Sequence, residues 1–264
     1  MISIVLPYYS GSKQREEILV KLKGCFKNLD YPRNLYEIIA VEDGESLKDI
    51  ADVHIKLNRT EIFNKSWHIN CGIRKAKYDW ILMLDCDMIF PVDYFKKIRE
   101  AINIYGRKSK FFLGFTTIFR EAGTTNACEY SIIAKEHDCA GGAFVVEKNH
   151  WWDIGGANEN YQGHGGEDRD IYYRAKYLSE GNSLCVLDGV KLIHPYHDWA
   201  KATKERLYLL TKTFEYTEII INRLRNADLG NKDKITMIDL SDIPADEQIV
   251  QRRFHGDACF NSGG

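Results

Sequence analysis

The chain has 264 residues, a net charge of −2, a hydrophobic fraction of 44% and a charged fraction of 28%. This is the balance of an ordinary soluble protein, long enough for one large α/β domain or two small ones. The near-neutral charge gives no global basic field for a nucleic acid, although a local patch stays open. Seven cysteines are scattered without metal-ligand spacing, and Cys25, Cys71 and Cys86 sit inside apolar or helical patterns. They read as reduced thiols in a reducing compartment. The start, Met1-Ile2-Ser3-Ile4-Val5-Leu6-Pro7, lacks a basic n-region, and its apolar run is too short for a signal peptide. With no apolar run long enough to span a membrane, the expected location is the cytoplasm.

Residues 2–6, with the β-branched Ile2, Ile4 and Val5, predict a buried strand that Pro7 ends. Residues 13–29 have helical spacing, with Ile18, Leu19, Leu22 and Phe26 on one face. Tyr31-Pro32-Arg33-Asn34 is a turn, residues 37–41 are a second strand, and residues 53–57 a third. Residues 61–77 predict a helix, 80–84 a strand and 92–105 another helix. This order, β-α-β-β-α-β-α, implies crossover connections and a parallel sheet, so the fold class is α/β. In the second half, strands are expected at 111–115, 143–146, 184–187 and 190–193, with irregular Gly-, Asn- and aromatic-rich segments around the first two. Residues 167–178 form a short helix and 200–225 a long amphipathic one. From residue 226 the chain is polar and weakly periodic. The expectation is one domain over 1–225 and a tail over 226–264 that is partly ordered at best.

The stretch Trp80-Ile-Leu-Met-Leu-Asp-Cys-Asp-Met-Ile-Phe90 carries the chemistry. A strand turns alternate side chains to one face, so Asp85 and Asp87 can share a site at its C-terminal end. Open α/β sheets bind ligands at that end. Two close carboxylates repel and call for a cation, and a hard divalent ion held by oxygens is the simplest. Taken alone, Asp-x-Asp reads as a turn that caps the next helix. Pro7-Tyr8-Tyr9 and Glu42-Asp43-Gly44 close neighbouring strands at the same edge. Asp43 is either a plain turn residue or an acceptor for a nucleobase or ribose. Phe63-Asn64-Lys65 opens a helix facing that edge, where a lysine and the helix N-terminus can meet phosphate. Glu167 and Asp168 follow Gly165-Gly166 at a helix start, where dipole stabilisation competes with a close-packed site. Trp151 and Trp152 can offer faces to a pyranose, with buried core an equal reading for one of them.

These motifs together resemble two glycosyltransferase groups. Phe63-Asn64-Lys65, Asn70-Cys71-Gly72, Tyr78-Asp79 and Asp85-Cys86-Asp87 leading to Pro91 resemble the β-1,4-galactosyltransferases. Ile4-Val5-Leu6-Pro7-Tyr8 and Val41-Glu42-Asp43-Gly44 look like family 2 glycosyltransferases. Gly141-Gly142-Ala143-Phe144, Ile154-Gly155-Gly156-Ala157-Asn158-Glu159 and Gly163-His164-Gly165-Gly166-Glu167-Asp168-Arg169-Asp170-Ile171 with Arg174 are similar to a galactosyltransferase C-terminal motif. Chondroitin-type polymerases and polypeptide N-acetylgalactosaminyltransferases share that motif. The resemblance covers about residues 2–200. It implies a GT-A fold, Rossmann-like, with a mainly parallel central sheet flanked by helices.

It further implies a hexosyl- or N-acetylhexosaminyltransferase that uses a UDP-sugar and manganese, or magnesium in its place. Asp87 would bind the metal, and Asp85 the metal or the ribose. Pro7, Tyr8, Asp43, Phe63, Lys65 and Asp85 would line the donor site. Asp168 would be the base, with Glu167 beside it. His194 matches the family's histidine ligand, with His197 as runner-up. Trp151, Trp152 and His164 would meet the acceptor, a glycan or another hydroxyl-bearing molecule. Three positions depart from the pattern: His164 replaces an aromatic, Lys65 an arginine, and Lys191 a methionine ligand. Inversion is the expected course, because a base-like Asp168 suits direct displacement. The rivals are a retaining enzyme, a sugar- or nucleotide-binding module without catalysis, and a nucleotidyltransferase. The last usually needs a Gly-rich, Arg-containing loop that is missing after Leu6.

Overall fold

The computed structural model describes residues 1–10, 12–58, 63–120, 130–133, 141–163, 166–178, 185–197, 222–226 and 228–233. Strands β1 (Ile2–Tyr8) and β2 (Tyr36–Glu42) are buried at every residue, as suits strands covered on both faces. Between them runs α1 (Lys13–Lys27), capped by Ser12, whose side chain accepts the Arg15 N–H. Its buried face is Ile18, Leu19, Leu22 and Phe26. A short 3-10 turn, Arg33–Leu35, leads into β2. The chain continues through β3 (Val53–Lys56), α2 (Lys65–Lys75), β4 (Trp80–Leu84) and α3 (Tyr94–Tyr105).

The second half holds β5 (Phe111–Leu113), β6 (Thr117–Arg120), β7 (Tyr130–Ile133), β8 (Ala143–Glu147) and α4 (Lys148–Asp153). It ends in α5 (Glu167–Leu178), β9 (Cys185–Val186) and β10 (Lys191–His194). The main sheet has the order β3-β2-β1-β4-β8-β5-β9. β3, β2, β1 and β4 are parallel, whereas β8 runs antiparallel to both β4 and β5. In a second sheet, β10-β6-β7, the strand expected at 190–193 is β10, whereas β6 and β7 lie in the part expected to be irregular. β6 and β7 have four residues each, too few for an alternating pattern to stand out.

Two boundaries differ from expectation for clear reasons. β1 runs through Pro7, which pairs with Val41 of β2. Pairing with β4 has ended at Val5, so Pro7 sits where the strand has one bonded flank, a place that tolerates proline. α2 starts at Lys65 because the Asn64 side chain accepts the Trp67 N–H at 2.9 Å, an N-cap that fixes the first turn. Most of the long helix expected at 200–225 lies outside the described residues, and the part within them, 222–225, is helical.

Three contacts hold α2 over the sheet. A Cβ on Gly72 would lie 2.4 Å from Val5 Cγ1, so only glycine allows this helix to pack so closely on β1. Asn70 accepts from Trp151 Nε1 and Ala157 N–H and donates to Ala157 O and Glu159 Oε1, which pins the 157–159 segment to the helix. Residues past 225 dock on the same helix. Trp67 Nε1 donates to Asn231 O at 2.9 Å, Arg74 donates to Leu229 O, and Gly230 N–H donates to Glu159 Oε1 at 2.6 Å. Among the described residues no helix is long and apolar enough to cross a membrane.

Candidate active site and metal centre

β1, β2 and β4 are parallel, so their C-terminal ends open on one edge. There β1 hands over to Tyr9 and Ser10, β2 to Asp43, and β4 to the turn Asp85-Cys86-Asp87. The N-terminus of α2 presents Lys65 to this edge, and the N-terminus of α5 presents Glu167 and Asp168. Two clusters result.

The first is a ligand set. Asp87 Oδ2 lies 3.0 Å from His197 Nε2 and 3.6 Å from His194 Nε2. One carboxylate oxygen and one nitrogen from each ring lie within 4.8 Å of one another, a geometry that can hold a metal ion. His194 ends β10 on its buried face, and His197 is also buried. Asp87 Oδ1 is buried without a hydrogen-bond partner among the described residues, a polar atom left to meet something else. Burial favours the neutral acid at Asp87, but the hydrogen bonds and charges of the two histidines hold it well below the usual carboxylate range. His194 and His197 are not alternatives here, because both face the same carboxylate.

The second cluster is built on Lys65. Its Nζ donates to Asp85 Oδ2 at 2.8 Å and to Asp168 Oδ1 at 3.1 Å, and Glu167 Oε1 lies 3.8 Å away. Burial would push the ammonium down; the charges of Asp168, Asp85 and Glu167 outweigh it and hold Lys65 well above its ordinary value. Asp85 stands outside the histidine set. Besides Lys65 it accepts the Gly142 N–H at 3.1 Å, from a glycine at φ +92°. Burial, with Asp87 and Asp168 nearby, pushes Asp85 up to about 6 against the pull of Lys65. Glu167 is pushed up to about 8, first by burial and then by Asp168, with Lys65 opposing. Its Oε2 is buried with no hydrogen-bond partner among the described residues.

The nucleotide side differs from the sequence expectation. Pro7 and Tyr8 are buried inside β1 and are not loop residues. Tyr8 is 4% exposed, and burial pushes its hydroxyl up to about 12. The loop side chain that meets Phe63 is Tyr9, with ring centroids 5.3 Å apart. Phe63 also packs edge-on against His68 at 4.8 Å. Asp43 accepts from the Ser10 N–H at 3.0 Å and from its hydroxyl, which fixes the carboxylate beside this aromatic group. Sequence reasoning missed Tyr9, Ser10, His68 and Gly142. Tyr9, in Pro7-Tyr8-Tyr9, and Gly142 were the available signals, each as part of a quoted motif.

The acceptor side needs a larger correction. Trp151 is fully buried, stacked on Phe144 at 5.4 Å and donating to Asn70, so it has no face for a sugar. Trp152 lies under the Arg74 guanidinium at the last turn of α2. At 1.5 Å per residue that is about 13 Å along the helix from Lys65. His164 lies outside the described residues. Lys191 is on the exposed face of β10, opposite to His194, and so is not a further ligand. Asp170 and Arg174 form a buried ion pair, and Arg174 also donates to Ile154 O, so this end of the motif is scaffold.

Comparisons with known proteins agree with the fold. A model described as glycosyl transferase family 2 matches residues 3–109, and one described as the N-terminal domain of galactosyltransferase matches residues 124–198. No curated protein sequence matches the chain. Among solved structures, S. aureus TarS 1–349 in complex with UDP-GlcNAc is similar at 16% identity and a TM-score of 0.60, covering 86% of this chain and 67% of that one. GalNAc-T7 with UDP, GalNAc and Mn2+ is similar at 15% identity and a TM-score of 0.62, covering 98% and 54%. The catalytic domain of Drosophila β1,4-galactosyltransferase 7 with xylobiose is similar at 14% identity and a TM-score of 0.50, covering 79% and 78%. The chain thus spans between about half and four fifths of the length of these three neighbours. With the α/β sheet, the two family models and these neighbours taken together, the chain has a GT-A fold and carries two segments, residues 3–109 and 124–198, that match glycosyltransferase family models.

Proposed function

We propose that this protein transfers a sugar, a hexose or N-acetylhexosamine, from a UDP-sugar to the hydroxyl of a glycan or other acceptor, with inversion and with a divalent metal. The observation that carries the proposal is the pair of clusters on one sheet edge: Asp87-His194-His197, and Asp85-Lys65-Asp168 with Glu167. The donor set of one carboxylate and two imidazoles, together with the orphaned Asp87 Oδ1, fits a metal ion. Mixed oxygen and nitrogen ligands favour manganese over the oxygen-preferring magnesium and calcium. When bound, such an ion stabilises the charge that develops on a departing diphosphate.

The protein's own groups supply the rest. Tyr9, Asp43 and Phe63 line the nucleoside side, with Asp85 at the strand end nearer the sugar. Asp168 takes the proton from the attacking hydroxyl, which leaves an oxygen nucleophile for direct displacement at the anomeric carbon. Glu167, largely protonated at neutral pH because of its burial, can donate a hydrogen bond to a sugar oxygen. The UDP and sugar complexes of the similar structures support the donor class. A cytoplasmic setting is supported by the free thiols of Cys25 and Cys86. The test is UDP release from a panel of UDP-sugars, with and without manganese. Metal-dependent release from at least one donor is expected; no release from any would refute the proposal.

A further inference from the structure

Lys65 opens α2 from a largely buried position between two walls of the site. Sequence reasoning places it on the diphosphate, as a substitute for an arginine. The distances say otherwise. An ammonium has three donor hydrogens, and here two are directed at carboxylates: Asp85 on the β4 side at 2.8 Å and Asp168 on the α5 side at 3.1 Å. Glu167 Oε1 closes a third side at 3.8 Å. The lysine side chain is 11% exposed, and Asp85 and Asp168 are 18% and 17% exposed.

We infer that Lys65 is a positioning residue for the base: it ties Asp168 of α5 to Asp85 at the end of β4, and is not itself a ligand of the diphosphate. The inference rests on the reading of Asp168 as the base. Charge explains the geometry. Asp85 and Asp168 converge here from two elements, and without a cation their like charges would drive the walls apart. The identity of the cation follows as well. A compact ammonium can meet acceptors from several directions, whereas a planar guanidinium fork prefers two coplanar oxygens. Lysine at a place where the resembling families carry arginine then reflects a different task.

The experiment is a double-mutant cycle on UDP-sugar turnover, using water or any accepted hydroxyl as acceptor, alongside calorimetry of UDP in the presence of manganese. Lys65→Met should lower kcat by about 10²-fold, the scale of a misplaced catalytic group. UDP affinity and donor KM should stay within about twofold, the usual tolerance of additive behaviour. In an Asp168→Asn background, Lys65→Met should change kcat by no more than that same margin of about twofold. Lys65→Arg, which keeps the charge and the fold, should show the same split with a smaller loss. Thermal melts of the four proteins of the cycle check that each is folded. An unchanged kcat with weakened UDP binding in either Lys65 variant would overturn the inference, as would full additivity with Asp168→Asn. A wild-type protein without turnover on any UDP-sugar would instead overturn the proposed function, and the assignment of a base with it.

Discussion

Asp87 is the residue on which the metal centre turns. Its Oδ2 faces two imidazoles while its Oδ1 has no partner among the described residues. Asp87→Ala and His197→Ala should each abolish manganese-dependent UDP binding while leaving the melting curve near that of the wild type. Calorimetry at fixed manganese checks this, and full affinity in His197→Ala would remove that histidine from the set. Glu167 gives a pH test. Its folded-state value is raised from 4.5 to about 8, so the native state binds the extra proton over that interval. Stability from this group is fully present below about 4.5 and is lost as pH rises towards 8. In metal-free protein, Glu167→Gln should remove that loss, so its melting temperature should gain on the wild type between pH 5 and pH 8. Parallel curves for the two proteins would contradict the assignment. Asp168→Asn should lower transfer by about 10² to 10⁴-fold, the usual contribution of a general base, with donor binding kept.

At the scale of elements, the site depends on how α2 is seated. Gly72 brings the helix onto β1, and Asn70, Arg74 and Trp67 bind the segments around residues 157–159 and 229–231. Gly72→Ala tests this seating. Alanine in a helix gains about 1 kcal/mol over glycine, but overpacking a filled core costs about 1–3 kcal/mol. A Cβ 2.4 Å from Val5 Cγ1 puts this case at the costly end, so the net change should be a lower melting temperature and weaker UDP binding. A stabilised variant would show that the helix shifts freely. The same contacts explain which elements sequence could supply. β1, β2 and β4 are largely apolar, β3 alternates, and α1 has a clean apolar face, so all were readable. β6 and β7 are four residues long and follow no repeating pattern. The antiparallel course of β8 depends on long-range pairing with β4 and β5, which local periodicity does not encode.

For the molecule as a whole, the two halves of the chain meet along the β4–β8 pairing, through the contacts of Asn70 on α2, and again at the site. The first half supplies Asp43, Phe63, Lys65, Asp85 and Asp87; the second supplies Glu167, Asp168, His194 and His197. Strand ends and a helix start were enough to single out the carboxylates, and the family resemblance pointed to His194 with His197 as runner-up. Sequence could not show that His194 and His197 act on the same oxygen, or that Lys65 reaches across to Asp168. Those are facts of three-dimensional closure. Nor could it sort the tryptophans: Trp151 fills the core beside Phe144, and Trp152 packs under Arg74. The central claim is that this closure creates a metal-dependent UDP-sugar site. The most direct measurement is calorimetric titration of UDP into the protein with manganese and with a chelator. The account predicts saturable binding with manganese, and binding that is weakened or lost with the chelator. Equal affinity in both conditions, or no binding of UDP in either, would contradict it.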